Sequence, residues 1–182
     1  MTIVAAYDDG KTICIGSDSC GICGGMKQDL GSKIIKKRNY YIGFADSYRI
    51  RDIIKECKTL PKEINHIEDL RGLRDALREE IISKMNAVPA DDGEDDIIST
   101  HPLDILIISK FGVHEIQNNY AILRAKDGFS ALGAGRDFAI GAMASHKLYS
   151  PDARTIIKET LKTTLKYCTD TGGKIHIKTI KR

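Results

Sequence analysis

Thr2-Ile3-Val4-Ala5-Ala6-Tyr7-Asp8-Asp9-Gly10-Lys11-Thr12-Ile13-Cys14-Ile15 is the stretch on which the fold turns. Thr2 to Ala6 and Lys11 to Ile15 are short runs of β-type residues. Tyr7-Asp8-Asp9-Gly10 between them carries an Asp-Gly turn signal, so the chain opens on a hairpin. The N-terminal segment is therefore itself a strand. Beyond it, Gly21, Gly24 and Gly25 break the pattern. Ser32-Lys33-Ile34-Ile35-Lys36 and Tyr40-Tyr41-Ile42-Gly43-Phe44 then predict a second strand pair around the basic turn Lys37-Arg38-Asn39. On this reading four strands precede any helix.

From Ser47 the period changes. Ile50, Ile53, Ile54 and Cys57 follow helical spacing and stop before Pro61, and a second helix is predicted from Ile67 to Met85 on the stripe Leu70, Leu73, Leu77 and Ile81. Asp91-Asp92-Gly93-Glu94-Asp95-Asp96, between Pro89 and Pro102, reads as an exposed loop, because the ligand spacing of a calcium loop is missing. Leu103 to Ser109, Val113 to Gln117 and Tyr120 to Arg124 predict three more strands. Helices follow at Phe138 to Lys147 and, after the start signal Ser150-Pro151-Asp152, at Ala153 to Tyr167, with Gly172-Gly173 ending the latter. Lys174 to Ile180 alternates and predicts a closing strand with one buried face. Runs of strands alternating with runs of helices imply an α+β fold of antiparallel sheets covered by helices, in one domain over 1–182.

Composition excludes several classes. With 28 Lys+Arg against 25 Asp+Glu the net charge is +3, too small for a basic face that would bind nucleic acid. The hydrophobic share of 42% supports a packed core of ordinary size. The apolar runs fall far short of the roughly 20 residues of a membrane span. The cysteines Cys14, Cys20, Cys23, Cys57 and Cys168 are odd in number, and no basic n-region precedes them, which predicts a reducing, cytoplasmic setting.

Three motifs lose to plainer readings. Cys20-Gly21-Ile22-Cys23 has no second ligand pair at zinc spacing, so no metal is expected. Gly133-Ala134-Gly135-Arg136-Asp137-Phe138 lacks the third glycine of a dinucleotide fingerprint, and close helix packing through Gly141, Ala142 and Ala144 is the preferred reading. The histidines at 66, 101, 114, 146 and 176 form no ligand motif. No cofactor is expected.

A fourth feature carries chemistry. Thr2 is a small residue after Met1, of the kind that permits removal of the methionine. A threonine so exposed holds a hydroxyl nucleophile and a free α-amine base together. Such an amine titrates near pH 8, so part of it is neutral and able to take the hydroxyl proton. A nearby lysine favours alkoxide character, and an aspartate holds that lysine.

Six segments in order then resemble the proteasome β-subunit and HslV family of N-terminal nucleophile hydrolases. They are Thr2-Ile3-Val4, Gly16-Ser17-Asp18-Ser19, Gly31-Ser32-Lys33-Ile34, Ile42-Gly43-Phe44-Ala45-Asp46, Ala131-Leu132-Gly133-Ala134-Gly135 and Thr169-Asp170-Thr171-Gly172-Gly173-Lys174-Ile175. The resemblance spans essentially the whole chain. It implies a four-layer αββα sandwich, with two antiparallel sheets between helix pairs. It implies threonine-type peptidase activity, with Thr2 as nucleophile, Asp18 and Lys33 as its charged neighbours and the Gly43 N–H as oxyanion donor. Cys20, Cys23, Phe44 and Ala45 would line the substrate pocket, and Ala134, Cys168 and Thr171 occupy the family's supporting positions. The implied partners are a peptide or unfolded-protein substrate, further copies in a homo-oligomeric ring, and an ATP-dependent unfoldase.

The chain departs from the family pattern where it has Met1 at the first threonine, Ala134 in Gly-Ser-Gly and Cys168 in place of an aspartate. A slip of one residue exchanges the faces of a strand, so Thr2 either serves in a displaced register or the nucleophile is absent. Two alternatives therefore stand beside the peptidase: a catalytically inactive ring or scaffold subunit, and an amidase or transpeptidase of the same class with a non-protein or specific peptide substrate.

Overall fold

In the computed structural model the opening hairpin is β1 (Val4–Asp8) and β2 (Thr12–Ser17), paired antiparallel with Ala6 opposite Ile15. Residues 2–45, 47–85, 104–149 and 152–182 are described. Asp9 builds the turn: its Oδ1 accepts from the N–H of Lys11 at 2.8 Å and of Thr12 at 2.7 Å, which is why an aspartate sits there. Met1, Asp46, the acidic run 91–96 and Ser150-Pro151 lie outside the described residues.

Six strands, not four, precede the first helix. β3 (Cys20–Cys23) and β4 (Met26–Asp29) form a two-stranded ribbon where the glycines read as a break. Gly24 and Gly25, with φ of +57° and +79°, are the two-residue turn of that ribbon; the glycines start a hairpin rather than interrupt one. β5 (Ile34–Lys36) and β6 (Tyr41–Phe44) follow as predicted.

α1 (Tyr48–Glu56) starts at Ser47, whose Oγ accepts from the Arg49 N–H at 3.1 Å, and α2 (Ile67–Met85) has the predicted bounds. β7 (Ile105–Ser109), β8 (Gly112–Ile116) and β9 (Ile122–Arg124) complete a five-stranded antiparallel sheet in the order β5-β6-β7-β8-β9. A further strand, β10 (Phe129–Leu132), was not predicted; it pairs with β1, Val4 opposite Leu132. α3 (Arg136–His146), α4 (Ala153–Tyr167) and β11 (His176–Lys181) follow. The second sheet runs β10-β1-β2-β11. α4 stops at Tyr167, capped by the Cys168 N–H on the Thr164 carbonyl, so Gly172-Gly173 belong to the loop before β11. β11 is an edge strand and half-buried along most of its length, which blurs the single buried face predicted for it.

Side-chain alternation sorts the apolar residues into three clusters. Ile3, Ala5, Tyr7 and Ala131 pack against Ala139, Met143, Ile156, Ile157 and Leu161 of α3 and α4. Val4, Ala6, Ile13 and Ile15 face Ile34, Ala45, Leu106, Ile108 and Val113 of the five-stranded sheet. Ile42, Phe44, Ile105 and Ile107, on the other face of that sheet, meet Ile50, Ile54, Leu70, Leu73 and Leu77 of α1 and α2. The close packing expected at Gly141 and Ala144 is not made within the chain: both are exposed, and a Cβ at Gly141 would meet nothing. α3 packs through its opposite face instead, on Ala139 and Met143.

One core residue gives stability a pH dependence. His114 on β8 is 1% exposed, stacks on Phe111 with centroids 4.9 Å apart, and its Nδ1 has no hydrogen-bond partner among the described residues. Burial, aided by the charge of Arg124, pushes its pKa down from 6.5 to about 4. The unfolded chain therefore takes up this proton first as pH falls. The contribution is complete above pH 6.5 and is lost toward pH 4, the loss amounting to ~3 kcal/mol at the acid end. Urea unfolding between about pH 7 and pH 4.5 should show His114→Phe losing roughly 2 kcal/mol less than the native chain; parallel curves for the two proteins would contradict this.

Candidate active site at the start of the first strand

The β1–β2 ladder continues past its last paired residues. The Asp18 N–H donates to the Ile3 carbonyl at 3.2 Å, and the Ile3 N–H donates to Asp18 Oδ1 at 3.2 Å. This double tie fixes Thr2 one position beyond the rung, and Thr2 is buried. Ile3 faces α3 and α4, whereas Val4 and Ala6 face the other sheet. Thr2 has the parity of Val4, so strand alternation assigns it to the inter-sheet side. Lys33 leads into β5 of the facing sheet.

The glycines that resembled a nucleotide fingerprint hold Thr2 instead. The Gly135 N–H donates to the Thr2 carbonyl at 3.2 Å, and Gly133, at φ +88°, lies so close to that carbonyl that a Cβ would overlap it. Ala134 between them is exposed.

Asp18 and Lys33 form a buried ion pair. Lys33 is 1% exposed, and its Nζ lies 2.5 Å from Asp18 Oδ1 and 2.5 Å from the Cys20 carbonyl. The Lys33 N–H donates to Ser17 Oγ at 3.3 Å, and its carbonyl accepts from the Phe44 N–H at 3.1 Å. Asp18 Oδ2 accepts from the Gly172 N–H at 3.1 Å, so this carboxylate receives two backbone donors besides the ammonium. Burial pushes the Lys33 ammonium below its usual range, and the Asp18 carboxylate opposes that shift. The result is a lysine held in place by charge yet readier than a surface lysine to give up a proton.

The remaining predicted residues divide. Cys20 is buried and supplies its carbonyl to Lys33, while its N–H donates to the Gly172 carbonyl at 3.2 Å. The Cys23 side chain lies outside the described part of the chain. Ala45 is buried on the inter-sheet face. Phe44 is on the opposite face: it is 2% exposed in the core under α1, edge-on to Tyr48 at 5.8 Å, and does not line a pocket on the Thr2 side.

Gly43 also has a different role from the one expected. The Ala45 N–H points to Asp104 and the Phe44 N–H to Lys33, so ladder alternation directs the Gly43 N–H at Leu106 of β7, inside the sheet. It is not free to stabilise an oxyanion. Gly43 is required for packing, because a Cβ there would overlap Val4 Cγ1 and crowd Ile15 Cδ1.

Thr171 and Cys168 close the end of α4. The Thr171 hydroxyl donates to the Cys168 carbonyl at 3.0 Å and to the Thr164 carbonyl at 3.4 Å. Sequence reasoning missed Ser17, Gly172 and the clamp at Gly133 and Gly135, which act mostly through backbone groups. Among the described residues, no cluster of three His, Cys, Asp or Glu side chains could hold a metal ion, and no helix is long and apolar enough to cross a membrane. A cavity of about 550 Å³ beside Asp8, Arg124 and Arg182 is at the other end of β1 and touches none of these residues.

Four helices and antiparallel sheets in this arrangement belong to the proteasome-β/HslV-like fold class. The chain is similar to Thiobacillus denitrificans BPH, at 18% identity over 98% of this chain and 97% of that one with a TM-score of 0.78. The same values of identity and TM-score hold for that protein's complex with epoxomicin. It is similar as well to the eukaryotic HslV of Trypanosoma brucei, at 14% identity over 99% of both chains with a TM-score of 0.71. No family model and no curated protein matches the sequence.

Proposed function

We propose that the chain is a threonine-type peptidase of the proteasome-β/HslV kind, in one domain over 1–182, with Thr2 as nucleophile once Met1 is removed. The observation that carries this reading is the buried Lys33–Asp18 pair, 2.5 Å apart, converging on the strand start where the ladder holds Thr2. The three core clusters support the four-layer αββα arrangement. Likeness to HslV supports assembly of copies into a ring, and the resemblance of the sequence motifs to that family implies a peptide or unfolded-protein substrate and an ATP-driven unfoldase as partner. The cysteines Cys14, Cys20, Cys57 and Cys168, all free, are in keeping with a reducing, cytoplasmic setting.

In this mechanism Thr2 Oγ attacks the amide carbonyl while the α-amine takes the hydroxyl proton. The proton passes to the leaving amine, an ester forms on Thr2, and water releases the acid and restores the hydroxyl. Lys33, with its lowered proton affinity, sets the electrostatics around Oγ, and Asp18 fixes its position.

One observation favours the inactive-subunit reading. The Thr171 hydroxyl is turned to the end of α4, and positions 134 and 168 carry no oxygen in their side chains, so the usual polar support around the amine is thin. The mass of the N-terminal peptide from the purified native protein separates the two. The peptidase begins at Thr2, and retained Met1 would remove the free amine on which the mechanism depends.

A further inference from the structure

The β3–β4 ribbon makes its own small sheet, and β4 is exposed along its whole length. Its anchorage is to the loop before β11. The Lys174 N–H donates to Ser19 Oγ at 2.8 Å, the Cys20 N–H to the Gly172 carbonyl, and Lys27 Nζ to the Thr171 carbonyl at 3.1 Å. Two side chains of the outer strand reach this loop: Lys27 by that hydrogen bond to a backbone carbonyl, and Asp29 by an ion pair with Lys174, Oδ2 to Nζ at 3.6 Å. The residue after Thr171, Gly172, gives its N–H to Asp18 Oδ2.

We propose that Lys27 is a positioning residue for the Asp18–Lys33 pair, acting through the Thr171–Gly172 peptide. The Lys27 ammonium holds the Thr171 carbonyl, and the same peptide unit carries the Gly172 N–H on its opposite edge. A planar trans peptide points its C=O and N–H in opposing directions, so fixing the carbonyl on Lys27 aims the N–H at the carboxylate. Asp18 Oδ1 is already shared by the Ile3 N–H and Lys33 Nζ, and the Gly172 bond to Oδ2 stops the carboxylate from rotating about its Cβ–Cγ bond. A charged donor on a carbonyl is stronger than a neutral one, so a lysine suits the task better than a polar neutral side chain.

This inference rests on the peptidase reading for its effect on rate and is independent of it for its effect on structure. The test compares Lys27→Met with Lys27→Arg, which keeps a charged donor. Amide hydrogen exchange of Gly172 in the full chain should quicken by about tenfold in Lys27→Met and return to within about twofold of native in Lys27→Arg. With a small peptide amide as substrate, kcat should fall by about tenfold in Lys27→Met at unchanged KM, with recovery in Lys27→Arg. Gly172 exchange unchanged in Lys27→Met overturns the proposal whatever the activity. A fall in kcat that Lys27→Arg does not restore also overturns it. If the native chain hydrolyses no amide, the peptidase reading fails, and Gly172 exchange alone decides the role of Lys27.

Discussion

Replacing Thr2 with alanine is expected to lower hydrolysis of a small peptide amide by at least about a thousandfold and to abolish covalent labelling by a threonine-directed electrophile. The size of the effect follows from what the residue does. It supplies the atom that forms the ester, and no neighbouring hydroxyl can take over from the same place. Ser17 is committed as an acceptor to the Lys33 N–H, and Thr171 donates to the end of α4. The substitution keeps the backbone that holds the strand start, because the bonds there use the Thr2 carbonyl and the Ile3 N–H. A folded Thr2→Ala chain with full activity would assign catalysis to another group. Thr2→Ser is the companion variant: it retains the hydroxyl and should keep labelling. Measured together with the N-terminal mass, the pair separates a missing nucleophile from an unprocessed one.

Legibility in the sequence followed the strength of local signals. α2 and α4 have the predicted bounds because each carries an apolar stripe several turns long. The opening hairpin was readable from Asp9 and Gly10, whose turn chemistry is local. The β3–β4 ribbon was not, since Met26-Lys27-Gln28-Asp29 is exposed throughout and has no buried face to impose alternation. Phe44 was assigned to the wrong face, although the pattern was there to read. Ile42 and Phe44 are bulky and meet the helices, while Gly43 and Ala45 are small and meet the other sheet.

The site divided in the same way. Asp18 and Lys33 are separated by the β3–β4 ribbon, and no spacing rule joins them; only the resemblance to a family pointed to the pair. The groups that complete it, the N–H of Ile3, of Gly172 and of Gly135, are backbone atoms that every residue but proline carries. Which of them reach a carboxylate or a carbonyl is decided by register and by loop closure across the whole chain.

Asp18→Asn is expected to cost about 3–5 kcal/mol of folding stability in urea unfolding at neutral pH, although it removes only one charge. Lys33 is almost fully buried, and the carboxylate is what offsets the cost of taking its ammonium out of water. Without Asp18 that cost stands uncompensated, and the lysine is driven further toward its neutral form. Lys33→Met produces the mirror case: it strands a buried carboxylate, which keeps its bonds from Ile3 and Gly172 but loses its counter-charge. The double variant, Asp18→Asn with Lys33→Met, buries no charge and should recover much of the loss from either single change, because well-packed neutral groups avoid the desolvation term. The two single effects should therefore be far from additive. Additive losses would mean that the two side chains stabilise the fold separately. The native fold also has a definite sign of pH dependence from this lysine. With its pKa lowered in the folded state, the unfolded chain holds the proton to higher pH, so this group alone makes stability rise with pH in the alkaline range up to 10.5. That rise should disappear in Lys33→Met. A pair kept at such expense to the fold is what a site needs when a neighbouring hydroxyl must be made nucleophilic, and recovery of stability in the double variant without recovery of hydrolysis would place the value of the charges in the chemistry.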